Sequence, residues 1–199
     1  VEADDIIGTL AVRAQSEGLN TYIVSGDKDF MQLINENIFL YAPGTKKSPN
    51  PIIYDSKKVE DKWGVPPEKI IDLLGLMGDS SDNVPGVSGV GEKTAVKLIK
   101  KYGSLDGALE NADQVSNKRA RTGLQEGAEN ARLSQDLVTI MLDVEIGSSL
   151  DDFISAEMNN SSCIDKFQEL EFQVFVKQFE EENSNCLLYT SPSPRDLST

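Results

Sequence analysis

Seven carboxylates in this chain stand where a loop should meet a regular element: Glu2, Asp4 and Asp5; Asp27 and Asp29; Asp79 and Asp82. Brought together, they would repel one another strongly unless cations filled the space between them. Oxygen donors without histidine or cysteine suit Mg2+ or Mn2+ rather than zinc. Several such acids around one cleft suggest two ions. Two ions about 3.5–4 Å apart can activate water and stabilise a leaving oxygen in phosphodiester hydrolysis. Asp79 and Asp82 lead directly into a second chemical feature, the glycine-rich run Pro85-Gly86-Val87-Ser88-Gly89-Val90-Gly91-Glu92-Lys93-Thr94. Gly86, Gly89 and Gly91 allow a tight hairpin with outward-facing amides, ahead of a helix N-terminus that favours anions. Lys93, Lys97, Lys100 and Lys101 add positive charge along that helix, with Lys97 and Lys101 one turn apart. Lys118, Arg119, Arg121 and Arg132 form a second basic group. Metal-holding acids beside phosphate-holding amides and lysines suit an enzyme that acts on a nucleic-acid backbone and grips it rather than reading its bases.

Each feature has a plainer reading. The acids at 2–5 could simply cap a helix, whose dipole favours negative charge at its start. Glu2 and Asp4 point apart on a regular helix, so Glu2 must precede the first turn if both serve one site. The lysines could be a solvated helix face. The glycines could be a nucleotide-binding loop, since Gly86 and Gly91 have the required spacing. Glu92, however, stands where that loop needs lysine, and the run follows Asn83-Val84-Pro85 rather than a buried strand. A calcium loop at Asp27 and Asp29 is excluded by the missing spacing and closing glutamate.

The totals narrow the class. At 199 residues and 39% apolar, the chain has enough material for a core. Net charge is -14 and the pI near 4.4, which taken alone argues against a nucleic-acid partner. Metal would neutralise part of that charge. There is no histidine, so imidazole catalysis and His-ligated zinc are both excluded. Cys163 and Cys186 lack metal-type spacing and read as free thiols. No apolar run reaches about 18 residues, so no membrane partner is expected and the chain reads as cytoplasmic.

The elements that must position these groups follow an α/β pattern. Ile6, Ile7, Leu10, Ala11 and Ala14 predict a first helix. Thr21-Tyr22-Ile23-Val24 predicts a buried parallel strand with Asp27 and Asp29 beyond its carboxyl end, where open α/β sheets place ligands. Ile38-Phe39-Leu40-Tyr41 predicts a second strand and Ile52-Ile53-Tyr54 an edge strand. Asp55 caps a short helix ending at Trp63-Gly64. Pro66 and Pro67 open an apolar helix that runs to Met77. Beyond it no strand is expected, only helices near 93–102, 105–111, 118–126 and 128–138, an apolar run at 139–142, and a final helix over 163–179. Residues 183–199 lack periodicity and read as a disordered or vector-derived tail.

The stretches VEADD, SGDKDF, WGVPPEKIIDLLGLMGDSSDNVPGVSGVGEKTA and, more loosely, LSQDLVTIMLDVEI resemble the 5′-nuclease domain of bacterial DNA polymerase I, within the flap-endonuclease superfamily. The resemblance covers residues 1 to about 182. It implies a mostly parallel sheet flanked by helices, continued by a helix–three-turn–helix region that binds duplex DNA. The parts would be the carboxyl end of an α/β nuclease core at 1–77, a DNA-binding helical region at 78–182, and the tail at 183–199. It also implies that Glu2, Asp4 and Asp5 serve one metal region, and that Asp27, Asp29, Asp79 and Asp82 serve the other and carry catalysis. Gly86, Gly89, Gly91, Lys93, Thr94 and Lys97 would hold DNA, with a K+ ion at the hairpin. The implied activity is Mg2+-dependent (or Mn2+-dependent) removal of 5′ flaps and RNA primers by a monomer. The implied partners are flapped or nicked duplex DNA and a polymerase domain in cis. Family members carry a further N-terminal segment with a strand, two more metal-ligand aspartates and a basic arch, expected upstream of Val1. The alternative is a DNA-binding module with an incomplete metal site.

Overall fold

The computed structural model describes residues 1–46, 48–155 and 160–189. Helix α1 (Ala3–Ser16) is followed by strand β1 (Thr21–Val24), a 3-10 turn at Asp29–Leu33, and strands β2 (Ile38–Ala42) and β3 (Ile52–Tyr54). β1 and β2 run parallel, with Thr21 opposite Ile38 and Val24 opposite Tyr41; β3 returns antiparallel to β2. The sheet order is β1-β2-β3. Parallel pairing requires a crossover, and the segment 25–37 supplies it. That crossover carries Asp27 and Asp29 past the carboxyl end of β1.

One expectation for β1 fails. It is not buried on both faces: Ile23 is 4% exposed, whereas Tyr22 and Val24 are 54% and 67% exposed. Successive strand residues point to opposite faces. α1 packs against β1, and Ile23 is the strand residue in the core, while the Tyr22 ring stacks on Phe39 across the strand pair at 5.0 Å on the open face.

Helix α2 (Ser56–Trp63) is capped by Asp55, whose carboxylate accepts from the Lys58 amide at 2.8 Å. Pro67 opens a 3-10 turn that leads into α3 (Ile70–Met77). α3 is the hub. Ile70, Leu73, Leu74 and Leu76 are each 2% exposed or less, because a helix apolar on nearly every face must be surrounded. It packs against α4 (Glu92–Tyr102), α5 (Leu105–Glu110) and α7 (Ala128–Val138), while α6 (Lys118–Glu126) packs on α5 and α7. A single core runs from Ala11 of α1 through Phe30, Ile38 and Leu40 to Leu124, Ala131 and Val138. The helices expected between 93 and 138 are present within a residue of their predicted ends. Among the described residues no strand follows β3, only an isolated bridge between Asp79 and Val84.

The apolar run at 139–142 is neither helix nor strand. Gln32 and α1 hold its backbone instead. Gln32 donates to the Val138 carbonyl at 2.8 Å and accepts from Ile140 N at 3.1 Å. Thr9 accepts from Val144 N at 3.2 Å, and Arg13 donates to the Val144 carbonyl at 2.9 Å.

The final helix is also two helices rather than one, α8 (Asn160–Glu169) and α9 (Gln173–Tyr189). Glu171 takes a left-handed φ of 58° between them, and the Phe172 amide bonds back to the Phe167 carbonyl at 2.8 Å. That is a left-handed helix stop of the kind glycine usually provides. α9 continues to Tyr189, so the helix takes in 183–189; residues 190–199 lie outside the described residues. Residues 1–152 form one compact unit, and a second begins at Phe153. The boundary read at 77/78 falls inside the first unit, where α3 packs against both later helices and the 3-10 turn after β1.

Candidate metal centre and nucleic-acid interface

Three chain reversals bring the acids toward one region. α1 presents Glu2 and Asp4 at its head, the β1 crossover presents Asp27 and Asp29, and the end of α3 presents Asp79 and Asp82. The loops are shaped by their own side chains, as short polar residues commonly do. Asp27 Oδ1 accepts from Asp29 N at 2.9 Å, and Asp27 N donates to Ser25 Oγ at 3.0 Å. Asp79 and Val84 exchange two backbone bonds, at 2.9 and 2.7 Å, which close the 79–84 loop. Inside it, Asp79 Oδ1 accepts from Ser81 N at 2.9 Å and from Ser81 Oγ at 2.5 Å.

Electrostatics shows which acids share a field. Asp29 is pushed up to about 6, first by burial and then by Asp27, Asp79 and Asp82, against the pull of Lys28. Asp4 is raised by burial and then by Asp27, Glu2, Asp5 and Asp82. Asp82 is raised, chiefly by its hydrogen-bonding approach to Asp79. Asp79 is 7% exposed. Burial pushes it up, but bonds from Lys28 and from the Ser81 hydroxyl and amide outweigh that and hold it well below the usual carboxylate range. Glu2, Asp4, Asp5 and Asp29 line one cleft of about 270 Å3, together with Asp136 of α7. Asp79 faces Asp29 from the other side, across Lys28.

Asp5 shares that cleft but is also bonded to the backbone through both oxygens. Its Oδ2 accepts from Glu2 N at 2.8 Å and its Oδ1 from Met141 N at 3.0 Å, and these bonds lower its pKa. Oδ2 thus caps the start of α1 and Oδ1 ties the helix to the 139–146 segment, while the side chain also lines the cleft shared with Glu2, Asp4 and Asp29. Glu2 does sit immediately before the first helical turn, as sharing a site with Asp4 requires.

The fit to a cation rests on two observations. Asp29 Oδ1 is buried and accepts no hydrogen bond. A buried carboxylate oxygen without a hydrogen bond is costly, and a cation closer than the Lys28 ammonium at 3.6 Å would complete it. The donors are also all carboxylates, the ligands of a hard divalent ion. Among the described residues, however, no three acids close around one point as a ready-made ion site. A lysine sits among them instead. Lys28 Nζ bonds to Asp79 Oδ2 and lies 3.6 Å from Asp29 Oδ1. Lys28, Ser81 and Asp136 were not singled out from sequence; the signal for Lys28 was its place between Asp27 and Asp29.

The glycine run does form a hairpin between α3 and α4, but its parts differ from expectation. Gly86 is buried and its amide does not face outward; it donates to Ser134 Oγ of α7 at 2.9 Å. The residue must be glycine, since φ is +62° and a Cβ would lie 2.4 Å from Gly78 N. Gly89 packs where a side chain would strike Arg119. Gly91 is the exposed N-cap of α4, with an ordinary φ of -99° and open space around it, so neither conformation nor packing demands glycine there. Lys93 and Lys97 are exposed. Thr94, Lys97 and Lys101 line a cavity of about 300 Å3 closed by Ser116 and Asn117. Arg132 does not join Lys118, Arg119 and Arg121; it pairs with Asp106 at 3.0 Å. Ser88, Lys118, Arg119 and Thr122 line another hollow beside the hairpin.

Comparison with known proteins places this arrangement. Residues 1–64 match the family described as 5′-3′ exonuclease, N-terminal resolvase-like domain, and residues 65–161 match 5′-3′ exonuclease, C-terminal SAM fold. The chain belongs to the 5′-3′ exonuclease family. It is 41% identical over 184 residues to DNA polymerase I of Bacillus caldotenax, covering 92% of this chain and 21% of that protein. It is 37% identical over 177 residues to the 5′-3′ exonuclease of Aquifex aeolicus, covering 89% of this chain and 58% of that protein. The chain thus spans about a fifth of the polymerase relative and somewhat over half of the exonuclease relative. In fold it is similar to bacteriophage T5 5′-exonuclease with bound zinc, with a TM-score of 0.62 at 19% identity, covering 91% of this chain and 59% of that one. The bacteriophage T5 flap endonuclease in complex with DNA and metal ions aligns equally well, with a TM-score of 0.62 at 18% identity, again covering 91% and 59%. The expected α/β fold with a small sheet and many helices is therefore that of this family.

Proposed function

We propose that this chain is the metal-binding and duplex-gripping part of a 5′-3′ exonuclease and flap endonuclease that hydrolyses phosphodiesters in DNA and RNA primers, within a bacterial DNA polymerase I. The observation that carries the reading is the buried Asp29 oxygen, which accepts no hydrogen bond and has only the Lys28 ammonium at 3.6 Å, facing Asp79 at the end of the α3 hub. Asp27, Asp29, Asp79 and Asp82 would hold one divalent ion, Mg2+ or Mn2+, and Glu2 and Asp4 a second. When bound, such ions supply charge neutralisation at the phosphate and a lowered pKa for attacking water.

The chain's own residues do the rest. Ser81 fixes one Asp79 oxygen, and the other, held by Lys28, points to where a cation would sit. The bridge between Asp79 and Val84 ties that carboxylate to the hairpin, so the acids and the DNA grip are set by one short loop. Gly89, Gly91, Lys93, Thr94 and Lys97 would meet the duplex backbone, with Gly86 supporting them from beneath and a K+ ion as a further backbone contact. Phosphate contacts of this kind position a substrate without reading its sequence. The setting is the bacterial cytoplasm, with the protein a monomer and the polymerase domain in cis.

The test is cleavage of a 5′-labelled flap duplex in Mg2+, with EDTA and Asp79→Asn as controls. Cleavage lost in both controls, with DNA binding retained by the variant, supports the assignment. Equal loss of binding and cleavage in Asp79→Asn would overturn it. DNA binding by the unaltered chain with no uptake of a divalent ion would favour a binding module instead.

A further inference from the structure

The cation position between Asp29 and Asp79 is taken by the chain itself. Lys28 stands between two of the proposed ligands in sequence, and its ammonium meets Asp79 Oδ2 and lies 3.6 Å from Asp29 Oδ1. The three side chains are largely withdrawn from water, with exposures of 25% for Lys28, 18% for Asp29 and 7% for Asp79. Asp27 and Asp82 add their negative fields to Asp29. Without the ammonium, these carboxylates would face one another across a poorly hydrated gap. An ammonium is a compact charge with donors but no lone pair. It can neutralise the carboxylates but cannot share their oxygens with an incoming ion, so lysine and divalent metal must exclude each other there.

We propose that Lys28 is an internal counter-ion that competes with the divalent metal for Asp29 and Asp79 and so sets the ion concentration at which the site loads. This rests on the metal-binding reading given above. The metal-free protein is held together by Lys28, and loading requires its Nζ to swing away from Asp79. Two ligands that exclude each other change each other's affinity reciprocally, ordinarily by about 5- to 150-fold. Removing the competitor should therefore tighten the ion while weakening the metal-free fold. A lysine that merely tethers the loop predicts the reverse, because its loss would disorder the carboxylates and weaken the ion.

The experiment is Mn2+ titration of the metal-free protein, followed by the paramagnetic resonance signal of free ion, which needs no substrate and no turnover. Lys28→Gln should bind Mn2+ roughly tenfold more tightly than the unaltered chain, and Lys28→Arg, which keeps the charge, should tighten binding less than Lys28→Gln does. Thermal unfolding over a Mn2+ series provides the same comparison if Lys28→Gln is poorly folded without metal; its melting temperature should start lower and climb further. Equal or weaker binding by Lys28→Gln, or a smaller climb, would overturn the inference. Asp79→Asn separates the two levels of the reading. If the unaltered chain binds Mn2+ and Asp79→Asn does not, while Lys28→Gln shows no tightening, only the role of Lys28 fails. If none of the three takes up Mn2+, the metal site itself fails.

Discussion

Asp29→Asn should make the metal-free protein more stable at neutral and alkaline pH. In the fold the carboxyl is raised from 3.8 to about 6. Between those values the folded chain holds a proton that the unfolded chain has released, so stability falls as pH rises through that window. The sign follows from the raised pKa: the group costs nothing below about 4 and its full penalty above about 6. At 1.36 kcal/mol per pH unit the penalty is about 3 kcal/mol, and about 2 kcal/mol is a safer figure for a side chain still 18% exposed. Asparagine keeps the shape and removes the charge. The unit 1–152 should then melt about 4–8 °C higher at pH 8, since each kcal/mol shifts a domain of that size by about 2–4 °C. The assay is thermal unfolding of both proteins in EDTA from pH 4 to pH 8, with Mn2+ binding as the companion measurement. The gain should vanish near pH 4 and be accompanied by loss of ion binding, as expected where a site stores unfavourable electrostatics for a ligand. A variant that is less stable at pH 8, or whose gain does not change with pH, would refute the claim that Asp29 is a strained, cation-seeking group.

Three further expectations concern the hairpin. Ser134→Ala removes the acceptor for the buried Gly86 amide and should cost about 1–3 kcal/mol in chemical denaturation; a loss under about 0.5 kcal/mol would show that the hairpin does not depend on α7. Gly86→Ala should be worse still, because a φ of +62° is combined with a 2.4 Å approach to Gly78 N. The conformational part alone is about 1–2 kcal/mol, and a soluble, fully stable variant would contradict the geometry. Lys93→Ala should weaken duplex binding at low salt and reduce the slope of log affinity against log salt by about 0.9; an unchanged slope removes Lys93 from the phosphate contacts.

Some of this molecule is local and could be read directly. Helix starts at Asp55 and Pro67, the three strands, and the helices between 92 and 138 follow from caps, β-branched runs and apolar period, which neighbouring residues set largely by themselves. The acid pairs and the glycine run were also legible, because their chemistry depends on residue type and short spacing. What each acid does was not. Asp4 and Asp5 are adjacent, identical and on one cleft, yet Asp4 lies in the field of Asp27 and Asp82 while Asp5 accepts from the amides of Glu2 and Met141, the latter brought back from the far end of α7. Gly86 and Gly91 look equivalent in the run; only the approach of α3 and α7 makes one indispensable and leaves the other free. The open face of β1 and the break at Glu171 likewise depend on what packs nearby rather than on the runs themselves. The sequence by itself determined the elements and the inventory of charged groups. Tertiary structure decided which charges meet, because burial and through-space fields act between residues far apart in the chain, and it is those terms that raise Asp29 and place Lys28 against Asp79.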